Sequence, residues 1–156
     1  MAALLASCSA REEQKPGFEA ARVALAGGDG LTAENRLNAL LEQGHGAPEL
    51  AAYLGEAALQ QDDLAKARRW LGDGTFSPST AALGFRMLGQ LEMREDRLAA
   101  AGAAFDRALR ADPQNAELWV DIGRLRYRGG EQMQAIAAAE RALAVDPGNS
   151  AALRFR

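Results

Sequence analysis

From residue 16 onward the apolar side chains recur at intervals of three and four, in runs that glycine, aspartate and proline break. That spacing lays one apolar stripe along a helix, so the chain reads as a series of amphipathic helices joined by tight turns. The clearest stretch is 116–149. Leu118, Trp119, Ile122 and Leu125 form one helix, Gly129-Gly130 interrupts it, and Ile136, Ala139, Ala142 and Leu143 form a second that Asp146-Pro147 stops. Upstream, Pro16 opens a helix through Phe18, Ala21, Val23 and Leu25, and Gly27-Gly28-Asp29-Gly30 ends it. Its partner starts at Leu31 or Thr32, carries Leu37, Leu40 and Leu41, and ends at Gln43-Gly44-His45-Gly46. Pro48 opens the next pair, first through Leu50, Tyr53, Leu54, Ala57 and Ala58, then through Leu64, Ala67, Trp70 and Leu71 with Asp62 or Asp63 as cap. Gly72-Asp73-Gly74 cuts that second helix about one turn short, and Phe76 is predicted to fill the gap. After Ser77-Pro78-Ser79 a third pair runs through Phe85, Leu88 and Leu91, then Leu98, Ala101, Phe105, Ala108 and Leu109. Asn115 and Asn149 each stand where a side chain can cap the helix that follows.

Shifted by thirty-four residues, the sequence meets itself. Phe85 falls under Trp119, Leu88-Gly89 under Ile122-Gly123, Ala101 under Ala135, Ala108 under Ala142, and Asp112-Pro113 under Asp146-Pro147. A second step reaches Leu54-Gly55 and Ala67, and a third reaches Ala33. These letters resemble the tetratricopeptide repeat pattern W-x2-L-G, A-x3-F, P, which Phe85, Leu88, Gly89, Ala101, Phe105 and Pro113 also match. Where the family has an aromatic three places after the glycine, this chain has Ala58, Glu92 and Arg126, with a bulky side chain one place later at Leu59, Met93 and Tyr127. The resemblance implies an all-α fold, a tetratricopeptide-type α-solenoid of roughly four antiparallel helix pairs plus the start of a fifth first helix. The repeats are expected at 15–47, 48–81, 82–115 and 116–149, with 150–156 beginning the further helix and Leu153 and Phe155 its exposed apolar end. Leu153 takes the slot of Trp119, so either a longer protein continues here or the last repeat lacks its usual cap.

Glycine inside a helix costs roughly 1 kcal/mol against alanine, so Gly55, Gly89 and Gly123 at one period require a reason. Close approach of the two helices of a repeat supplies one, with Ala67, Ala101 and Ala135 expected to face the gap.

Composition agrees with helix: alanine, leucine, arginine and glutamate dominate the 156 residues, and β-branched and aromatic residues are scarce. Residues 9–80 carry 7 basic and 11 acidic side chains and residues 81–156 carry 11 and 10, so neither half is a nucleic-acid-binding polycation. No phosphate-cradling glycine loop, nucleophile–base pair or metal-ligand spacing is present, and the reading is of a non-enzyme with no cofactor and no metal. His45, the only histidine, is expected as a solvent-exposed turn residue.

The single cysteine excludes an internal disulfide. Cys8 closes Leu4-Leu5-Ala6-Ser7-Cys8, which resembles the lipobox of a bacterial lipoprotein, cleaved before the cysteine that is then lipidated. Residues 1–8 would be the signal segment and 9–14 a polar tether. Met1 to Leu5 is shorter than an ordinary apolar region and has no Lys or Arg ahead of it, so either the start lies upstream or the match is accidental. Ser9 after the cysteine, by resemblance to enteric lipoproteins, points to the outer membrane. Two settings follow: a lipid-anchored scaffold of the bacterial cell envelope facing the periplasm, or a cytoplasmic adaptor with no anchor.

In the tetratricopeptide family, ligands lie along the concave face lined by first helices. Carried onto this chain, that rule gives Arg86, Gln90, Met93 and Arg94 in the third repeat and Val120, Arg124, Tyr127 and Arg128 in the fourth. Two rows of guanidinium groups suit a protein or peptide partner of acidic character, because arginine pairs carboxylates bidentately. The family's two-carboxylate clamp is unmatched, since Arg22, Tyr53 and Glu56 stand where its asparagines would be.

Overall fold

A computed structural model of the chain describes residues 16–155, and all regular structure among them is helical. The helices are α1 (Pro16–Ala26), α2 (Gly30–Glu42), α3 (Ala47–Gln60), α4 (Leu64–Leu71), α5 (Ala81–Arg94), α6 (Leu98–Ala111), α7 (Ala116–Arg128), α8 (Gln132–Val145) and α9 (Ser150–Leu153). The expected lipobox and tether lie outside the described residues. The chain forms two compact units that part between Ser77 and Pro78.

In the first unit α1 pairs with α2 and α3 with α4, while α2 also packs on α3. Phe18, Ala21, Leu37, Leu40, Leu50 and Leu54 form its main core, with Phe18 edge-on to the Tyr53 ring at 4.9 Å. Val23 was expected on this apolar stripe, yet it is exposed: the stripe that faces the core is Phe18, Ala21 and Leu25. Gly30 is buried because a Cβ there would lie 2.5 Å from the Ala57 carbonyl oxygen. Of the two candidate caps for α4, Asp63 serves, accepting the Lys66 N–H, while Asp62 turns the chain at φ 57°. The short α4 is followed by an extended segment pinned by the Ser77 N–H to the Pro48 carbonyl, and Phe76 within it is half-buried. His45 departs from expectation. Its side chain is 11% exposed, with Nδ1 4.0 Å from Glu49 four residues on, and its N–H donates back to the Leu40 carbonyl at the end of α2.

In the second unit α5 packs on α6 and α7 on α8, with α7 also against α6 and α5. Met93, Ala101, Phe105, Ala108, Leu118, Ile122, Leu125 and Ala138 form one core, and Val120, Ala139, Ala142 and Ala152 a second that ties α9 to α7 and α8. Ile136 sits at the margin, partly exposed on α8. Asn115 and Asn149 cap α7 and α9 as expected, accepting from Leu118 N and Ala152 N.

The period is written into the backbone. Gly28, Asp62, Asp96 and Gly130, each thirty-four residues apart, are the positive-φ residues that reverse the chain between paired helices. The helical glycines are close-approach points, although by a different route from the one expected. A Cβ on Gly55 would overlap Leu71, and one on Gly89 would overlap the Phe105 ring, so at these positions a large side chain of the second helix fills the seat. At Gly123 the corresponding residue is Ala139, and the helices draw together until the Ala135 carbonyl oxygen would lie 3.3 Å from an added Cβ. Of these three glycines, only Gly123 faces backbone.

Candidate partner-binding face

Three of the eight predicted groove residues converge on a residue that the sequence did not single out. Asp121, in the middle of α7, has its side chain 3% exposed. Its Oδ2 accepts from Arg86 Nε and from Gln90 Nε2, both at 2.7 Å, and its Oδ1 accepts from Arg124 Nη1 at 2.9 Å. Arg86 also reaches Glu117 at 3.6 Å. A buried carboxylate is tolerated only when paired and hydrogen-bonded, and here both oxygens are satisfied. The Arg86–Gln90 row on α5 is therefore bound into α7.

Arg128 is also a tie between repeats. Its Nη1 donates to the Met93 carbonyl at 2.6 Å and its Nη2 to Asp96 at 3.0 Å. Gln60, two repeats earlier in the same register, donates to the Leu25 carbonyl at 2.9 Å, across the same 35-residue span. In the second and fourth repeats the residue that ends the first helix thus clasps the repeat before it.

Two predicted groove residues are corrected by burial. Val120 is 0% exposed, held between α8 and α9, and Met93 is buried against the core of α6 and α7, so neither offers surface to a partner. The family's rule fixes a helix face only to within a residue, and here that residue turns inward. What remains outward on α7 is Arg124 at 51%, Tyr127 at 62% and the outer edge of Arg128. On α5 it is Arg94 and the rim of Gln90. Sequence reasoning missed Asp121, which an isolated acidic residue at helical spacing does not betray. Its one signal is register: thirty-four residues earlier stands Met87, a buried apolar residue.

Among the described residues, no helix is long and apolar enough to cross a membrane. Helix pairs at a fixed period, with a positive-φ turn in each and a glycine seat in the last three, define a helical-repeat scaffold. Two tetratricopeptide repeat models match the sequence, at residues 18–73 and 87–115, together more than half of it. The chain belongs to the tetratricopeptide repeat family. Members are in general non-enzymatic scaffolds that bind proteins or peptides, and the repeats make this chain a protein-interaction scaffold. Solved structures agree in fold. The chain matches one in the crystal structure of the APC/C hetero-tetramer Cut9-Hcn1 with a TM-score of 0.75 and 18% identity over 90% of its own length, spanning 28% of that chain. MamA aligns at 0.68 and 22% identity, covering 91% of this chain and 81% of the other. YrrB, described as a TPR protein with an unusual peptide-binding site, aligns at 0.66 and 17% identity, covering 88% and 71%. No curated protein sequence matches the chain significantly.

Proposed function

We propose that the chain presents the first-helix face of its third and fourth repeats to a peptide or protein partner of acidic character, and that a lipid on Cys8 holds it in the bacterial cell envelope. The observation that carries the binding reading is the Asp121 network. Arg86, Gln90 and Arg124 are fixed in place before any partner arrives, so the exposed Arg124 and Tyr127 stand on a rigid base. Side chains held in advance lose less entropy on binding, and Tyr and Arg are the residue types that dominate interface energies. The anchor reading is supported by Leu4-Leu5-Ala6-Ser7-Cys8.

A photo-crosslinking residue placed at Tyr127 tests the face, with the same residue at the exposed Arg141 of α8 as comparison. Capture of one partner from position 127 and not from 141 is expected; equal capture from both contradicts the reading. Membrane fractionation of the wild type and Cys8→Ala tests the anchor. The wild type is expected with membranes and the variant released, whereas a soluble wild type removes the anchor and leaves a cytoplasmic adaptor.

A further inference from the structure

Inside the first unit, three side chains fill the place where the second helix of one repeat meets the turn of the next. Glu34 of α2 accepts from Gln61 Nε2 at 2.7 Å, and Lys66 Nζ lies 2.9 Å from Glu34 and 3.6 Å from Asp63. Two periods on, inside the second unit, the same places hold Gly102, Gly129 and Gln134. The acid and the first amide have given way to glycine and the lysine to an uncharged residue. A cavity of about 450 Å³ opens there, between α6 and the turn from α7 to α8. It lies between two whole helix pairs, α5 with α6 and α7 with α8.

The walls keep carboxylates that the emptied junction no longer neutralises. Leu98, Gly102 and Asp106 stand one turn apart on one face of α6, and Leu125 lies across from Gly102, 3.7 Å from where a Cβ would stand. Asp106 takes the place of Asn38, and its carboxylate makes no ion pair or hydrogen bond among the described residues. Glu131 takes the place of Asp63 and gives its Oε2 to Arg126 Nη1 at 2.9 Å. Its Oε1 faces the vacated side of Gly129, 3.6 Å from where a Cβ would stand. Two carboxylates against one guanidinium leave the lining with one negative charge in excess. The partner of Lys66 thus survives in its counterpart, and the lysine does not.

We infer that this cavity takes the side chain of a lysine on a protein partner. The incoming ammonium lies beside Glu131 as Lys66 lies beside Asp63, Asp106 adds a second negative charge, and the aliphatic stem covers Gly102 and Leu125. A lysine suits a lining of this kind because its stem packs on apolar surface while its charged head stays in water near the carboxylates. Hydrogen bonds between ions of opposite charge then fix its place. The lining belongs to a second helix and a turn and includes neither Arg124 nor Tyr127. The site is therefore independent of the first-helix face and stands or falls without it.

The test is an NMR titration of the isotope-labelled chain with the peptide acetyl-Gly-Ser-Lys-Ser-Gly-amide, in which the backbone amides of Gly102 and Gly129 report on the cavity. Versions with norleucine, which keeps an aliphatic stem without the charge, and with glutamate are compared with it. Saturable shifts of both amides are expected with the lysine peptide, and at least about tenfold weaker binding of the other two. Asp106→Asn combined with Glu131→Gln is expected to cause the same loss, while Glu140→Gln, exposed on α8 and off the cavity, keeps wild-type affinity. Gly102→Leu, which fills the cavity from a position where an added Cβ meets only Leu125 across the gap, is expected to abolish the shift at Gly129. Equal binding of the norleucine peptide, wild-type affinity in the folded double variant, or absence of shifts at Gly102 and Gly129 with the lysine peptide overturns the inference.

Discussion

Gly55, Gly89 and Gly123 share one place in the repeat and yet tolerate a side chain differently. At Gly89 the added methyl falls on the Phe105 ring, whereas at Gly123 it meets one carbonyl oxygen at 3.3 Å. Overpacking a filled core costs typically 1–3 kcal/mol. Gly89→Ala is therefore expected to destabilise by about 1–3 kcal/mol, and Gly123→Ala by about 1 kcal/mol less. Equilibrium denaturation of the two variants checks the order, and equal losses would mean that Phe105 yields its place freely. The sequence located these glycines but not what they face, because period gives position along the helix and not the size of the side chain across the gap. Asp121 was illegible for a related reason. A carboxylate at helical spacing looks the same whether it meets water or the guanidinium of Arg86, and only the packing of α5 on α7 decides.

Among the elements, α2 and α4 of the first unit are joined by a polar staple. Glu34 accepts from Gln61 Nε2 at 2.7 Å and pairs with Lys66 Nζ at 2.9 Å. The hydrogen bond from Gln61, and next that from Lys66, hold the Glu34 carboxyl below its ordinary value of 4.5. A folded pKa below the unfolded one means that stabilisation is complete above about 4.5 and is lost as pH falls through the lower folded value. Glu34→Gln should thus melt at a lower temperature than the wild type near neutral pH, and the gap should close in strong acid. Thermal melts across that range measure it, and a gap independent of pH would show that shape, not charge, makes the contribution. The helices themselves were legible because their apolar stripes and breakers are local. Caps at Asn115 and Asn149 were legible for the same reason, since a short polar side chain just ahead of a helix has one evident partner. The clasp from Arg128 to the Met93 carbonyl was not, because its partner lies 35 residues away and is a backbone atom, which no side-chain pattern announces.

For the molecule as a whole, the repeat divides the residues into two kinds. Those that recur at the period, such as the glycine seats, the positive-φ turns and the clasp at Gln60 and Arg128, build the stack. Those that do not recur, such as Asp121 and Arg124, set the fourth repeat apart, and the exposed Arg124 and Tyr127 give it a face of its own. In a stack whose units meet only their neighbours, stability is close to a sum of unit and junction terms, so a junction can be weakened without touching that face, and the face altered without weakening a junction. Asp121 and Tyr127 lie six residues apart on one helix, the first buried in the junction between repeats and the second exposed on the face. The most direct test is therefore a paired measurement of melting temperature and partner capture on Asp121→Ala and Tyr127→Ala. Removing the buried acid leaves Arg86 and Gln90 facing each other without their acceptor and should lower stability by about 3–5 kcal/mol. Removing the exposed ring should leave the melting temperature unchanged and abolish capture of the partner. A Tyr127→Ala protein that retains its partner, or an Asp121→Ala protein as stable as the wild type, would contradict the account.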